Sequence, residues 1–153
     1  MRASEILNET QGKKYYHGSY ENLPVGTRLT PGNDDYEDNW GENLWYDALE
    51  YWRPNEYLAH RAAVFMVDNE DDVDMAGGAT DYLLTVIPRG KIQRHDMNWG
   101  SEIGGMLEDD DVDYADPVIE NLALNYWNGV PHTNESVWEY LAPEAIVVAV
   151  EPY

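Results

Sequence analysis

The sequence contains no cysteine and only one phenylalanine among its 153 residues. Without cysteine, the chain has no disulfide, no thiolate nucleophile and no zinc–thiolate site. No apolar run approaches the ~18 residues that a membrane-spanning helix needs. The apolar run within Met1–Leu7 is too short for the hydrophobic region of a secretory signal. These absences predict a protein that stays in the cytoplasm, with no membrane partner.

Basic residues are also scarce. Nine lysines and arginines stand against thirty aspartates and glutamates, which gives a net charge of −21 at pH 7. This charge repels phosphate backbones, so we do not expect nucleic acid as a direct ligand. Three interpretations fit it: a solvated surface, attraction to a basic protein partner, or imitation of DNA by carboxylates. Self-repulsion of the charge favours a monomer.

The composition nevertheless predicts a folded domain. Hydrophobic residues make up 43% of the chain, with six tryptophans and twelve tyrosines, which an acidic disordered tail lacks. The length suits one hydrophobic core. No internal repeat or long linker interrupts it, so we predict a single domain over residues 1–153, with 1–12 as a short helix or arm.

Hydrophobic periodicity predicts an α+β fold with antiparallel strands. Trp45, Leu49 and Trp52 fall at i, i+4 and i+7 on one helical face. Proline and glycine mark turns at 22–32 and 88–90, and an acidic segment fills 33–39. A helical turn capped by Asp68 or Asn69 and ended at Gly77-Gly78 is also predicted. The predicted strands are 13–19, 62–67, 82–87, 91–95 and 146–150, and the predicted helices are 42–52, 56–61 and 118–126.

Several site types find no support in the sequence. Three of the four histidines, His60, His95 and His132, share no metal-ligand spacing, so we predict no metal site. We assign His60 to the surface or to core packing, and His95 to packing, with a cleft wall as the alternative. The segment 109–113 is rich in aspartate but lacks the central glycine and closing glutamate of a calcium loop. No glycine-rich phosphate loop is present.

One short motif carries chemistry. His17-Gly18-Ser19 follows two strand-favouring tyrosines, which places an imidazole, an unshielded backbone and a hydroxyl together at a strand end. Leu29-Thr30-Pro31-Gly32, the junction at 63–69 and the segment 135–143 follow it along the chain. Together these resemble the ADP-ribosyltransferases, especially the small bacterial enzymes that modify rifamycins and an anti-CRISPR ADP-ribosyltransferase of phages.

The resemblance implies a split antiparallel β core, with two small sheets around a cleft for NAD and flanking helices. NAD enters as a substrate. His17 would bond a ribose hydroxyl, and the Gly18 backbone would hold the nicotinamide carboxamide. Ser19 and Thr30 would support that geometry. Phe65 or Tyr82 would supply the aromatic side chain of the family's second motif.

The resemblance also implies a late catalytic glutamate. Loss of nicotinamide builds positive charge on the ribose, which a nearby carboxylate stabilises. Glu139 lies four residues before Pro143, as the family's glutamate often precedes a proline, and it is the preferred candidate. Glu135 is the alternative. In a chain with thirty acidic residues, either could instead be a solvated carboxylate at a strand edge.

Two functions therefore stay open. The first is an NAD-dependent ADP-ribosyltransferase that modifies a basic protein target, in the manner of a phage effector acting in the host cytoplasm. The second is an acidic DNA mimic or decoy that occupies the nucleic-acid-binding surface of a defence protein. The two combine if the ADP-ribosyltransferase fold has lost catalysis and only binds. The decoy needs the carboxylates of 34–38, 70–74 and 108–116 on one face.

Overall fold

Two antiparallel sheets and three α-helices make up most of the described chain. The structure is a computed structural model that describes residues 13–31, 44–73, 81–133 and 135–153. Its helices are α1 Leu44–Tyr51, α2 Met97–Asp109 and α3 Pro117–Trp127. Its strands are β1 Tyr15–Ser19, β2 Arg28–Leu29, β3 Val64–Met66, β4 Tyr82–Arg89, β5 Gln93–Asp96, β6 Trp138–Ala142 and β7 Glu144–Pro152.

The two sheets meet at the first strand. The larger sheet has the order β1-β4-β7-β2, and the smaller has the order β3-β6-β5. Tyr16 and Val67 form a single bridge between them, in which Tyr16 N donates to Val67 O at 2.8 Å and Val67 N to Tyr16 O at 3.0 Å. The strand that carries His17 therefore lies at the boundary of the two sheets.

An apolar core fills the space between the sheets. It is built by β1, β3, β4, β6 and β7, and within these strands its members are two residues apart, as the period of two in an extended chain requires. The buried members are Tyr15, Val64, Met66, Leu84, Val86, Tyr140, Ala142, Ala145 and Val147. The other face of the smaller sheet packs against the helices instead.

The helices form a second core with that other face. Asp116 caps α3 by accepting a hydrogen bond from Val118 N at 2.9 Å, and Pro117 takes the first helical position. Asp96 caps α2 in the same way at Asn98 N. The buried side chains of this core are Ala48, Leu49, Ile103, Ile119, Leu122, Ala123, Tyr126 and Trp127.

Most of the predicted elements are confirmed in the described ranges, with ends shifted by a few residues. The helix predicted over 56–61 is wrong. The chain there makes only a 3₁₀ turn, His60–Ala62. The Gln93 side chain accepts from Leu58 N at 2.8 Å and donates to Leu58 O at 3.1 Å. These bonds occupy the backbone groups that a helix would use.

Helix α2 has no counterpart in the sequence prediction. Its three glycines, Gly100, Gly104 and Gly105, lower helix propensity and hide the pattern. Gly100 is required by packing, because a Cβ there would lie 2.7 Å from the Trp45 ring. The turn predicted at 88–90 begins later, since β4 runs through Arg89 and the chain reverses at Gly90 with φ of 86°. The predictions for 1–12, 33–39 and Gly77-Gly78 lie outside the described residues.

Candidate functional site

His17 is held in one orientation by the neighbouring sheet. Its Nδ1 lies 2.6 Å from the carbonyl oxygen of Phe65 on β3. A carbonyl only accepts, so Nδ1 carries the proton and Nε2 presents its lone pair. Burial lowers the pKa of His17, and the bond to the Phe65 carbonyl opposes this effect. The imidazole is therefore a neutral acceptor at physiological pH.

The residues next to His17 take different positions. Gly18 is buried opposite Leu83. Ser19 uses its hydroxyl locally, since it donates to Glu21 O at 2.9 Å and accepts from Glu21 N at 3.0 Å. Tyr82 is paired with Ser19 across the sheet and is half-buried. These residues form one end of the β1–β4 ribbon together with His17.

Thr30 does not join this group through the sheet. It is exposed and follows β2 directly. Strand β2 is at the opposite edge of the larger sheet from β1, with β4 and β7 between them. Leu29 and Thr30 therefore follow His17 in sequence, but they are not on a strand that pairs with β1.

Glu139 is in the interior. It lies on β6, the middle strand of the smaller sheet, and is 2% exposed. Its Oε1 accepts a hydrogen bond from the Tyr126 hydroxyl of α3. Burial raises the pKa of Glu139 to about 7, and the bond from Tyr126 works in the opposite direction. The interpretation of Glu139 as a solvated strand-edge carboxylate is thus wrong.

A polar network surrounds Glu139 on the helix face of the sheet. His60 Nε2 lies 2.8 Å from the Tyr126 hydroxyl. His95, which is paired with Glu139 across the ladder, has its Nδ1 2.7 Å from Tyr126 O and stacks on the Tyr126 ring at 4.4 Å. Gln93 Nε2 lies 2.9 Å from His95 Nε2. Every member is buried or half-buried.

Burial governs the charge of this network. It lowers the pKa of His95 to about 4 and places the pKa of His60 well below its usual range, with the positive forms of His95 and Arg53 adding to the effect on His60. Burial, followed by the charge of Glu139, raises the pKa of Tyr126 well above its usual value. At neutral pH, Glu139 is therefore the network member that titrates.

Phe65 connects the two parts of the candidate site. Its carbonyl holds His17, and its ring centroid lies 5.5 Å from that of His60. Phe65 is paired with Leu141, two residues along β6 from Glu139. His17 and Glu139 are thus separated by about two strand spacings, roughly 10 Å between backbones. No direct contact joins their side chains in the described structure.

Glu135 lies elsewhere. It is exposed and lines a shallow, open groove of about 580 Å³ together with Glu102 and His132. His132 Nε2 lies 3.7 Å from Glu102 Oε2. The structure therefore separates the two candidate glutamates: Glu139 belongs to the buried network, and Glu135 belongs to the groove.

Tyr126 was not predicted as a site residue, and neither His60 nor His95 was predicted to act together with Glu139. One signal was available: Glu139 is the single charge in the strand Trp-Glu-Tyr-Leu-Ala, which otherwise reads as buried. A lone carboxylate in such a strand requires a buried partner. Nothing in the sequence indicates that this partner is Tyr126.

Two further observations bear on the type of site. Across the described ranges, no three histidine, aspartate or glutamate side chains are grouped as metal ligands. None of the helices in this part of the chain is long and apolar enough to cross a membrane. In comparisons with known proteins, no protein-family model and no curated protein matches the chain.

Proposed function

We propose that the protein is an NAD-dependent ADP-ribosyltransferase that transfers ADP-ribose to a basic protein target. One observation carries the proposal. A neutral histidine oriented by Phe65 and a buried glutamate with a pKa of about 7 lie on strands of adjoining sheets, about two strand spacings apart. Both positions agree with the resemblance of the His-Gly-Ser motif and the late glutamate to that family.

The chemistry assigns each residue a role. His17 Nε2 accepts a hydrogen bond from a ribose hydroxyl, and the Gly18 backbone contacts the carboxamide. When the bond between ribose and nicotinamide breaks, positive charge develops on the sugar. The Glu139 carboxylate stabilises that charge. Phe65 and Tyr82 remain the candidates for the second aromatic position. The net charge of −21 favours encounter with a basic acceptor.

The test is transfer of labelled ADP-ribose from NAD to a lysine- and arginine-rich protein, with NAD binding measured separately. We expect Glu139→Gln to lower kcat on the order of 100-fold or more, because it removes the charge opposite the developing cation. His17→Ala should raise KM for NAD about 10-fold through loss of one hydrogen bond.

Matched controls are available in the same chain. Glu135→Gln and His132→Ala change the same residue types in the groove, and neither should alter turnover. Wild-type protein that neither binds nor consumes NAD would refute the proposal. If Glu135→Gln abolished transfer and Glu139→Gln did not, the catalytic role would pass to Glu135.

The decoy function finds less support in the described residues. Only one of its three acidic segments, 108–116, is described throughout. That segment connects α2 to α3, and two of its carboxylates are used locally: Asp113 accepts from Ala115 N at 2.8 Å, and Asp116 caps α3. Strong binding to a basic partner that survived both His17→Ala and Glu139→Gln would revive this function.

A further inference from the structure

A chain of polar contacts leads from Glu139 towards the protein surface. The Tyr126 hydroxyl lies between Glu139 Oε1 and His60 Nε2. On the far side of the His60 ring, Nδ1 lies 4.0 Å from Glu50 Oε1, which also accepts from His60 N at 2.9 Å. The Glu50 side chain is 30% exposed. Tyr126 and His60 therefore connect the interior carboxyl to Glu50 at the surface, and the last step is a 4.0 Å approach rather than a hydrogen bond.

The charge of Glu139 decides which groups donate and which accept along this series of polar contacts. A hydroxyl has one proton, so Tyr126 donates to only one of its two neighbours. When Glu139 is ionised, it can only accept, and Tyr126 must donate to it. His60 then donates through Nε2, and its Nδ1 is left as a bare acceptor. No partner for that atom exists among the described residues.

Protonation of Glu139 permits the opposite direction. The carboxyl then donates to the Tyr126 oxygen, and Tyr126 donates to His60 Nε2. The imidazole proton must move to Nδ1, where it faces the Glu50 carboxylate. This arrangement replaces the unsatisfied acceptor with a donor near a negative charge, which favours it electrostatically.

We propose that Glu50, His60 and Tyr126 form a proton relay that loads and unloads Glu139. A proton from solvent reaches His60 Nδ1 beside Glu50, the Nε2 proton passes to the Tyr126 oxygen, and the Tyr126 proton passes to Glu139 Oε1. One proton enters at His60 Nδ1, and one proton is delivered to Glu139 Oε1. Neither His60 nor Tyr126 keeps a charge, and the reverse sequence returns the proton to solvent. His60 and Tyr126 are positioning residues here, and only the use of the relay in turnover rests on the proposed function.

The surroundings of His60 fit a change of tautomer better than a change of charge. Trp127 stacks on its ring at 5.0 Å, and Tyr46 meets it edge-on at 4.7 Å. Arg53 lies beyond Glu50, with Nε 2.9 Å from Glu50 Oε2. Apolar packing and a nearby cation both oppose an imidazolium at this position.

The tautomer of His60 provides a direct test in wild-type protein. Its two ring nitrogens can be followed by ¹⁵N NMR from about pH 5 to about pH 9, while the Glu139 carboxyl is followed by ¹³C NMR. We expect the proton to sit on Nε2 at high pH and on Nδ1 at low pH, with the same midpoint as Glu139. In Glu139→Gln, His60 should keep one tautomer throughout.

His95 is the internal control. Its Nδ1 is bound to a carbonyl, Tyr126 O, at 2.7 Å, so its tautomer should stay constant over that range. A fixed His60 tautomer in wild-type protein, or a change that persists in Glu139→Gln, would overturn the relay. Neither result depends on NAD. A protein whose His60 changes tautomer but which never consumes NAD would refute the enzyme and leave the relay intact.

Discussion

The two faces of the smaller sheet differ sharply in chemistry. Towards the larger sheet, its strands present Val64, Met66, Tyr140 and Ala142, all buried in an apolar core. Towards the helices, the same strands present His95 and Glu139 beside Phe65 and Leu141. The first face obeys the usual rule that buried positions are apolar. The second places an ionisable carboxyl where it is 2% exposed.

The apolar face is explained by the stability of the fold, whereas the polar face is not. An apolar side chain at position 139 would pack against α3 without a desolvation cost. A buried carboxyl opposes folding unless it is neutral or well paired. Stability therefore does not account for Glu139, Tyr126, His60 and His95 as a set. Residues that lower stability in this way are common at functional sites.

Disrupting the apolar face should have the largest effect on stability. Met66 is 1% exposed, so Met66→Ala leaves a cavity and removes apolar contacts. We expect the free energy of unfolding to fall by about 4 kcal/mol, with little dependence on pH. Urea denaturation at two pH values measures this. Val25→Ala, at a side chain that is 64% exposed, should change stability by less than about 0.5 kcal/mol. Equal losses in both variants would contradict the location of the core.

On the polar face, a substitution should raise stability instead: Glu139→Gln should stabilise the protein at neutral and higher pH. The pKa of Glu139 is raised from 4.5 to about 7 in the folded protein. Below pH 4.5, the Glu139 carboxyl is protonated in both the folded and the unfolded protein. As pH rises between the two values, the unfolded chain releases its proton first, so the folded protein loses about 3 kcal/mol of stability. Glu139→Gln does not titrate and should avoid that loss.

The variant should therefore match wild type near about pH 4 and exceed it by about 3 kcal/mol at about pH 8. His95 adds a trend of the other sign, because its pKa is lowered from 6.5 to about 4, and stability is lost as pH falls between these values. Both proteins share His95, so the difference between them isolates Glu139. A pH-independent difference would show that Glu139 does not titrate in this range.

Much of the fold could be predicted from local sequence. Local periodicity or capping residues predict five elements that the structure contains: β1, β4, β7, α1 and α3. Helix α2 is not predicted in this way, because Gly100, which admits the Trp45 ring, and two further glycines weaken its helical pattern. The 56–61 segment also departs from its pattern, since a distant glutamine takes its backbone bonds. Strands β2 and β6 were not predicted either. The failures at α2 and at 56–61 are tertiary effects that no local pattern reports.

The candidate site was predictable only in part. His17 was singled out by its motif, and Glu139 by its place before Pro143, as the resemblance implies. Their environment depends on long-range contacts: Phe65 lies 48 residues from His17, and Tyr126 lies 66 residues from His60. Glu139 is buried because β6 is the middle strand of the smaller sheet, whereas Glu135 is exposed because it lies before β6, outside any strand.

The smallest expected effect compares two tyrosine hydroxyls that contact carboxylates on opposite faces of the sheet. Tyr126→Phe removes the donor to buried Glu139 and leaves His60 Nε2 without a hydrogen-bond partner. We therefore expect the free energy of unfolding to fall by about 2 kcal/mol at about pH 8. Tyr140→Phe removes a 2.9 Å bond to Asp68, which is exposed and regains water, so the loss should stay below about 1 kcal/mol. The first loss should shrink below about pH 6, where Glu139 is neutral in wild type, and the second should not. If the two variants had equal costs at every pH, the two faces would be energetically alike, and the buried network would need no functional explanation.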